Sequence, residues 1–391
     1  MRVLALTNLY PNPYQPNRAT FNRNRFRLLN DCAPVRVIAP VSWTDAVRAR
    51  WRGEPKLPAG EIEFDGLPVS HPIYWFTPRA LRRSYGRFFE FSVRGAFERA
   101  LREFTPDVVF APWAYPDAWG ALRLARRHDL PMVALVHGSD VRMVDKHPGR
   151  AGRTGEAIRG ADGVIAMSDD LRDRCLGMGA RPDAVRTILD GVDLARMTPV
   201  DARAARAELG FAAAARHLLF VGNLHPVKGL DVLLKACERL DGDWRLHLVG
   251  EGPQRPALER QAKASGLGER VSFHGGAPHS DVPKWMSAAD LFVLPSRSEG
   301  VPNVLLEAAA CGLPYVASNV GGIPEIAALG DSRLVPPEDP EALAEGLRTM
   351  LARGRRSDGP RPRDIRESVA EQYEFLQEIV ARRRRGPKES R

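Results

Sequence analysis

The residues best suited to chemistry lie in one stretch, Leu291 to Ser318, which reads LFVLPSRSEGVPNVLLEAAACGLPYVAS. Glu299 stands in a polar loop, Ser296–Asn303, and Glu307 follows in the first turns of the helix after it. A loop entering a helix presents amide hydrogens that the helix has not used, at the positive end of its dipole, and so suits phosphate. Gly300 lets a ligand approach the backbone closely. Carboxylates beside such an anion site accept hydrogen bonds from sugar and ribose hydroxyls. Acids at a helix start also stabilise its dipole with no ligand involved, so the pair alone leaves both readings open.

The elements that must position this loop are visible as apolar runs. Leu291–Leu294 and Tyr315–Ser318 read as buried strands, and Val304–Cys311 as the helix between them. The same alternation runs through the chain. Val3–Leu6, Val35–Ala39, Val108–Ala111, Met132–Val136 and Val164–Met167 read as strands of a first half, with helices at Phe21–Asn30, Arg79–Phe104, Ala118–His128 and Asp169–Leu176. Leu218–Val221, Arg245–Val249 and Val271–Phe273 join the second half, with helices at Leu230–Leu240 and Ala257–Ala264. Alternating strands and helices predict an α/β fold of two doubly wound domains with parallel sheets, facing a central cleft where ligands bind. The boundary is placed at 197/198, within a break over Met197–Ala215. A second domain then spans 198–363, and 364–391 forms a last helix and basic tail that cross back to the first domain. Residues 42–70, polar and Pro/Gly-rich with Trp43 and Trp51, read as a loop-rich insertion.

Composition agrees with this reading and sets limits. The 391 residues exceed one ordinary domain, and 44% hydrophobic with 27% charged content excludes a largely disordered chain. A formal charge of +9 suits phosphorylated small molecules, an anionic membrane or nucleic acid without choosing among them. Cys32, Cys175, Cys237 and Cys311 form no CxxC pair, which speaks for a reduced compartment and against a zinc ribbon. No run approaches the roughly 18 apolar residues of a membrane span. Met1–Thr7 reads as a strand rather than a signal peptide. A cytoplasmic protein is expected.

The segment Pro295–Ser318 also matches a longer pattern, PSxxEGxPxxxxEAxAxGxPxVAS. Through it the chain resembles the GT4 family of retaining glycosyltransferases, which have the GT-B fold. The resemblance implies that Glu299 contacts the donor sugar and Glu307 the nucleotide ribose, with Gly300, Val301, Pro302, Asn303 and Val304 lining the donor through their backbone. Val221–Gly229 resembles the family's strand-loop motif, whose lysine, here Lys228, binds the donor diphosphate beside Gly222. The family's usual arginine in that motif is Asn223 here. Val271–Gly275 resembles the strand whose following loop, at Gly275, lines the nucleobase pocket. Leu248–Pro253, Gly321–Glu325 and Ile188–Asp193 resemble family turns and are read as structural.

In the first half, His137-Gly-Ser-Asp140 resembles the family's HG motif, which implies His137 near the donor sugar. Asp140 either orients a sugar or caps a helix. Trp113, Tyr115 and Asp117 sit where the family's acceptor region often lies, and aromatic rings serve sugar stacking and packing equally well. The loop Asn8–Thr20 lacks the family's glycines, and Arg18 there is either an acceptor-side cation or a solvated one.

Asp241-Gly-Asp243 spells DxD but stands between a helix and a strand and reads as a turn. No metal and no cofactor are expected beyond a UDP- or GDP-linked sugar. The basic stretch 79–104, with seven arginines among aromatics, either packs on the fold or touches an anionic membrane. The Arg382–Arg385 run reads as a solvated tail. The resemblance as a whole implies a retaining, metal-independent hexosyltransferase of cell-surface polysaccharide synthesis, peripheral at the inner membrane face. Its acceptor would be a saccharide, free or carried on polyprenyl diphosphate. Another GT-B activity, a phosphorylase or nucleotide-sugar epimerase, and a non-catalytic binder of anionic polymer are the alternatives. No nucleic acid is expected.

Overall fold

The apolar runs pair as strands because they are buried on both sides. Val3–Leu6, Val108–Ala111 and Met132–Val136 are essentially inaccessible along their whole length, which is why they show no alternation of apolar and polar residues. The structure is a computed structural model and describes residues 1–16, 18–78, 84–144, 148–355 and 361–385.

The chain forms two compact units. The first holds Met1–Leu189 and the chain from Arg366 onward. Its eight-stranded sheet has the order Val185–Thr187, Gly163–Ala166, Met132–Val136, Val108–Pro112, Val3–Leu6, Val35–Ile38, Leu67–Ser70, Glu61–Phe64. All neighbours are parallel except the last pair, an antiparallel hairpin at the edge. The strand order reverses on either side of Val3–Leu6. The chain ends that leave Val3–Leu6 and Val108–Pro112 therefore part from each other, a topology that opens room for ligands.

The second unit is Asp190–Ile365. Its six strands are all parallel, in the order Val271–Gly275, Trp244–Val249, Arg216–Val221, Leu291–Leu294, Tyr315–Ser318, Ser332–Val335. Here the order reverses between Arg216–Val221 and Leu291–Leu294.

Several boundaries differ from the sequence reading. Val192 and Met197 pack in the second unit's core, so the break falls at Leu189/Asp190 instead of 197/198. The chain passes between units a second time at Ile365/Arg366. Val192 bridges the returning chain around this point, its N donating to Arg363 O and its O accepting from Ile365 N. A Cβ on Gly191 would lie 2.6 Å from the Asp364 carbonyl, which gives the Ile188–Asp193 step a structural reason.

The insertion over 42–70 is largely ordered secondary structure. Trp43–Trp51 is a helix capped by Ser42, whose side chain accepts from Asp45 N. Glu61–Phe64 and Leu67–Ser70 form the edge hairpin, turned at Asp65-Gly66 with both residues at positive φ, as such two-residue turns require.

The helix Tyr85–Phe104 buries Phe89, Val93, Phe97 and Ala100, so its aromatic side packs on the fold. Arg79, Arg82 and Arg83 lie outside the described residues. The terminal helix Ile365–Arg384 packs on the first unit through Phe375 and Ile379 against Gly163. Arg186 grips Glu378 with two bonds of 3.0 and 2.7 Å. The Arg382–Arg385 run is not a solvated tail over its length. Arg382 donates to Asp183 O, and Arg383 and Arg384 pair with Asp129 and Asp107. Among the described residues no helix is long and apolar enough to cross a membrane.

Candidate active site

Two loops leave the second unit's sheet where its order reverses. Gly222–Lys228 follows Arg216–Val221, and Pro295–Pro302 follows Leu291–Leu294. Lys228 ends a single turn, Pro226–Lys228, and its Nζ donates to Glu299 Oε1 at 2.6 Å. The Ser296 hydroxyl donates to the same oxygen at 2.6 Å. The pair is shielded, with side chains 22% and 11% exposed.

The scaffold beneath this pair has a definite cause. Gly229 has φ +65°, and a Cβ there would stand 2.1 Å from the Pro295 carbonyl oxygen. The two loops can touch only because residue 229 has no side chain. Arg297 then ties them together. Its guanidinium makes two bonds to Asp231 (2.9 and 2.8 Å), one to Glu338 (2.9 Å) and one to Pro226 O (2.6 Å), and its amide donates to Val227 O. Those bonds hold its pKa above the usual arginine range, the Asp231 bond foremost. Gly222 is fixed from the other side. A Cβ on Gly250 would lie 1.9 Å from Gly222 O, so the Leu248–Pro253 turn supports the Lys228 loop. Asn223 is exposed on it.

The helix after the second loop begins at Asn303, one residue before the sequence reading, and Pro302 at its cap provides no side-chain bond. Its opening amides thus have no side-chain cap, with Gly300 and Val301 in the loop just before it and Val304 in its first turn. Gly300 O accepts from Gly322 N at 2.9 Å, so the Gly321–Glu325 turn braces the loop. Glu325 itself lies in the first turn of Ile323–Ala327. Glu307 is nearly buried, and His279 Nε2 lies 2.9 Å from its Oε1. Gly275 ends the Val271–Gly275 strand, accepts from Gly250 N, and stands beside Glu251, which pairs with Arg255 at 3.0 Å.

In the first unit, His137 follows Met132–Val136. Its ring meets Phe21 edge-on at 5.0 Å and Trp113 at 6.5 Å. Burial first, and then the Arg25 cation, push its pKa well below the usual imidazole range, so the ring is neutral at neutral pH. Its Nε2 is out of solvent and has no hydrogen-bond partner among the described residues.

Asp140 accepts from the amides of Ala114 (3.1 Å), His137 (3.2 Å) and Gly138 (2.8 Å). Its oxygens thus join the loops after two neighbouring strands, and its burial raises its pKa to about 6. Asp117 is also buried, and its carboxylate accepts from Thr7 Oγ1 (2.8 Å), Asn8 N (2.7 Å) and Asn8 Nδ2 (2.6 Å). Burial lifts it to about 7 against these bonds. Arg18 donates from Nε to Asn8 O at 2.9 Å and from Nη1 to Gln15 Oε1. Asp117, fully buried, therefore acts on Asn8 rather than standing open to an acceptor, which corrects its reading as a contact, whereas Arg18 holds Asn8 and Gln15 while staying partly exposed. Tyr115 is likewise turned inward, its hydroxyl accepting from Gly86 N at 2.7 Å. Trp113, Tyr115, Asp140 and Arg150 help to line a pocket of about 200 Å³. Ala19 adopts the left-handed conformation (φ 45°) at the cap of the Thr20–Cys32 helix, where a glycine would be easier.

Comparison with known proteins bears on this geometry. The model for glycosyl transferases group 1 matches residues 215–353, and that for Glycosyltransferase Family 4 matches 35–196. D-inositol 3-phosphate glycosyltransferase 1 of Catenulispora acidiphila is 35% identical over 289 residues, 66% of this chain and 69% of that one. The chain belongs to the family 4 glycosyltransferases.

This glycosyltransferase is also 28% identical to TuaC of Bacillus subtilis, named for teichuronic acid biosynthesis, over 89% of its own length and 88% of TuaC. Among solved structures, sucrose-phosphate synthase from Thermosynechococcus elongatus has a TM-score of 0.72 at 22% identity, covering 97% of this chain and 96% of that one. Anabaena HepE, solved with UDP-glucose, has a TM-score of 0.69 at 18% identity over 97% and 98%. The fold of the glycosyltransferase is GT-B, with two Rossmann-like domains. Arg297, Ser296 and His279 were not singled out from the sequence. Their partners lie 66, 3 and 28 positions away; Ser296 and Arg297 sit within the motif's own span, Arg297 at a position it leaves open, and His279 lies outside it.

Proposed function

We propose that this glycosyltransferase moves a hexosyl group from a nucleoside diphosphate sugar, UDP- or GDP-linked, to a saccharide acceptor, with retention and without a metal or other cofactor. The observation that carries this reading is the Lys228–Glu299 pair on the two loops at the reversal point of the second unit's sheet. An ammonium there neutralises the charge that grows on the diphosphate as the nucleotide leaves. Glu299 accepts from the sugar hydroxyls and Glu307 from the ribose. The 300–304 backbone meets the phosphate at the start of the helix. Neutral His137, with an unused Nε2, faces a sugar hydroxyl, while Asp140, Asp117 and Arg18 hold the loops around it.

The acceptor oxygen bonds to the anomeric carbon on the face the nucleotide leaves. The carbon–oxygen bond to phosphate breaks, and the acceptor proton passes to the departing phosphate oxygen. No protein nucleophile is required. Lys228 supplies the charge that a metal would otherwise bring. Asp241 and Asp243 flank a turn at Gly242, and Asp243 pairs with Arg245. HepE's complex with UDP-glucose favours a UDP-linked donor, and TuaC's name favours cell-surface polysaccharide as the product.

The acceptor in this reading is carried on polyprenyl diphosphate, at the inner face of the plasma membrane. A specific surface supports that part. Four of the five large apolar side chains exposed among the described residues, Val47, Trp51, Trp75 and Phe91, belong to the first unit's 43–104 segment. Trp43 stacks on Trp75 at 5.9 Å, and Trp75 N donates to Ser92 Oγ on the long helix, so these pieces are contiguous. Tryptophans amid arginines suit a bilayer interface. The test of the reaction is the anomeric configuration of the product by NMR, with and without EDTA. Retention and unchanged turnover are expected; inversion or a metal requirement would overturn the reading.

A further inference from the structure

His279 was read neither as a site residue nor as part of any motif, yet it is bonded to the acid placed on the ribose. It opens the turn His279–Asp281, ahead of the helix Val282–Ala288, and reaches across to the fifth residue of the Asn303–Ala310 helix. A carboxylate can only accept, so the imidazole presents its Nε2 hydrogen to Glu307 Oε1 at 2.9 Å. The partners are unequal: Glu307 is 13% exposed and His279 51%. Half-exposed pairs contribute little to stability, so holding the fold is a weak reason for this one.

The bond does fix the carboxylate. A glutamate on a helix otherwise samples several rotamers, and selecting one has an entropic cost that a ligand would have to meet on binding. With Oε1 tethered, Oε2 and the second lone pair of Oε1 remain to accept from two adjacent hydroxyls. We infer that His279 is a positioning residue that sets the preference for a ribose over a deoxyribose nucleotide by holding the Glu307 carboxylate in its hydroxyl-accepting orientation. The inference rests on the assignment of Glu307 to the ribose.

The test is titration calorimetry on the full chain with UDP and 2′-deoxy-UDP, or the guanine pair if GDP binds more tightly. Wild type should prefer the ribonucleotide. His279→Ala should weaken ribonucleotide binding by about 3–10-fold, weaken the 2′-deoxynucleotide, which keeps only the 3′-hydroxyl, by less, and so shrink the preference. His279→Gln, which keeps a side-chain N–H, should restore most of it. Glu307→Ala and the double variant should bind alike, because nothing is left to position. Equal weakening of both nucleotides by His279→Ala, or full additivity with Glu307→Ala, would overturn the role of His279 alone. No loss of preference in Glu307→Ala would overturn the ribose assignment and this inference with it. Thermal unfolding of each variant, expected within a few degrees of wild type, keeps folding defects separate.

Discussion

Lys228 and Glu299 are bonded to each other, Nζ to Oε1 at 2.6 Å. The two groups assigned to diphosphate and sugar are therefore neighbours sharing one charge balance. A diphosphate must share the ammonium with Glu299, and a sugar hydroxyl must share the carboxylate with Lys228 and Ser296.

That coupling separates two variants. Lys228→Ala should lower kcat by about 10²-fold or more, the usual cost of removing one charge-stabilising donor. Glu299→Gln should also lower kcat, yet bind the nucleoside diphosphate as tightly as wild type or more tightly, because it no longer competes for the ammonium. Steady-state kinetics and nucleotide titration on both variants check this. Weaker nucleotide binding in Glu299→Gln would show that the carboxylate supports Lys228 rather than competing with the phosphate.

Gly229 should tolerate no side chain. Its positive φ and the 2.1 Å approach to Pro295 O predict that Gly229→Ala destabilises by about 2 kcal/mol or more. Because the clash lies between the loops that carry Lys228 and Glu299, nucleotide affinity should fall as well. Chemical denaturation and calorimetry test the two effects separately.

A chain of three imidazoles runs from the second unit's core, at His217 and His247, to its surface at His274. His217 Nε2 must donate to Ala212 O (2.9 Å), so His217 Nδ1 accepts from His247 Nε2 (3.0 Å), and His247 Nδ1 accepts from His274 Nε2 (3.0 Å). Phe211 stacks on His247 at 3.8 Å. Burial, then His217 and His274, lower His247 to about 3. The unfolded chain therefore takes up a proton here below about pH 6.5 while the folded one does not. Stability from this group is complete above that pH and is lost as pH falls toward about 3. Buried Asp117 and Asp140, raised to about 7 and about 6, act in the opposite sense: their contribution is lost as pH rises. The prediction is therefore a difference. Between pH 7 and 4 wild type should lose more stability than His247→Gln, by at most about 3 kcal/mol. Parallel urea titrations at the two pH values check it.

The exposed aromatic surface predicts lipid binding. Sedimentation with vesicles containing phosphatidylglycerol should carry the protein down, and pure phosphatidylcholine vesicles should retain much less. Replacing Trp51, Trp75 and Phe91 together with serine should reduce binding about 10-fold or more while leaving transfer to a water-soluble acceptor unchanged. Equal binding by the triple variant would remove this surface from the membrane reading.

The sequence made the strands and the Pro295–Ser318 segment legible for a physical reason. Strands buried on both sides are unbroken apolar runs, and the loop carrying Glu299 lies within one local strand-loop-helix unit. The groups that support the site were not legible. Asp117 reaches Asn8 across 109 positions and Arg297 reaches Asp231 across 66, and such pairs leave no local periodicity. The Trp43–Trp51 helix was hidden because its apolar residues are partly exposed, so its pattern lacks a buried side. The paired Arg382–Arg384 run looks like any basic tail until its acidic partners, far away in the chain, are placed beside it.

The central claim is that the second unit holds a nucleotide through Lys228 and Glu307. Calorimetric titration of UDP, GDP and ADP into wild type and Glu307→Ala tests it most directly, since no acceptor is needed. The account predicts clear binding of one nucleotide and a loss of about 10-fold or more in the variant. Equal binding by both proteins, or no binding of any of the three to wild type, would contradict it.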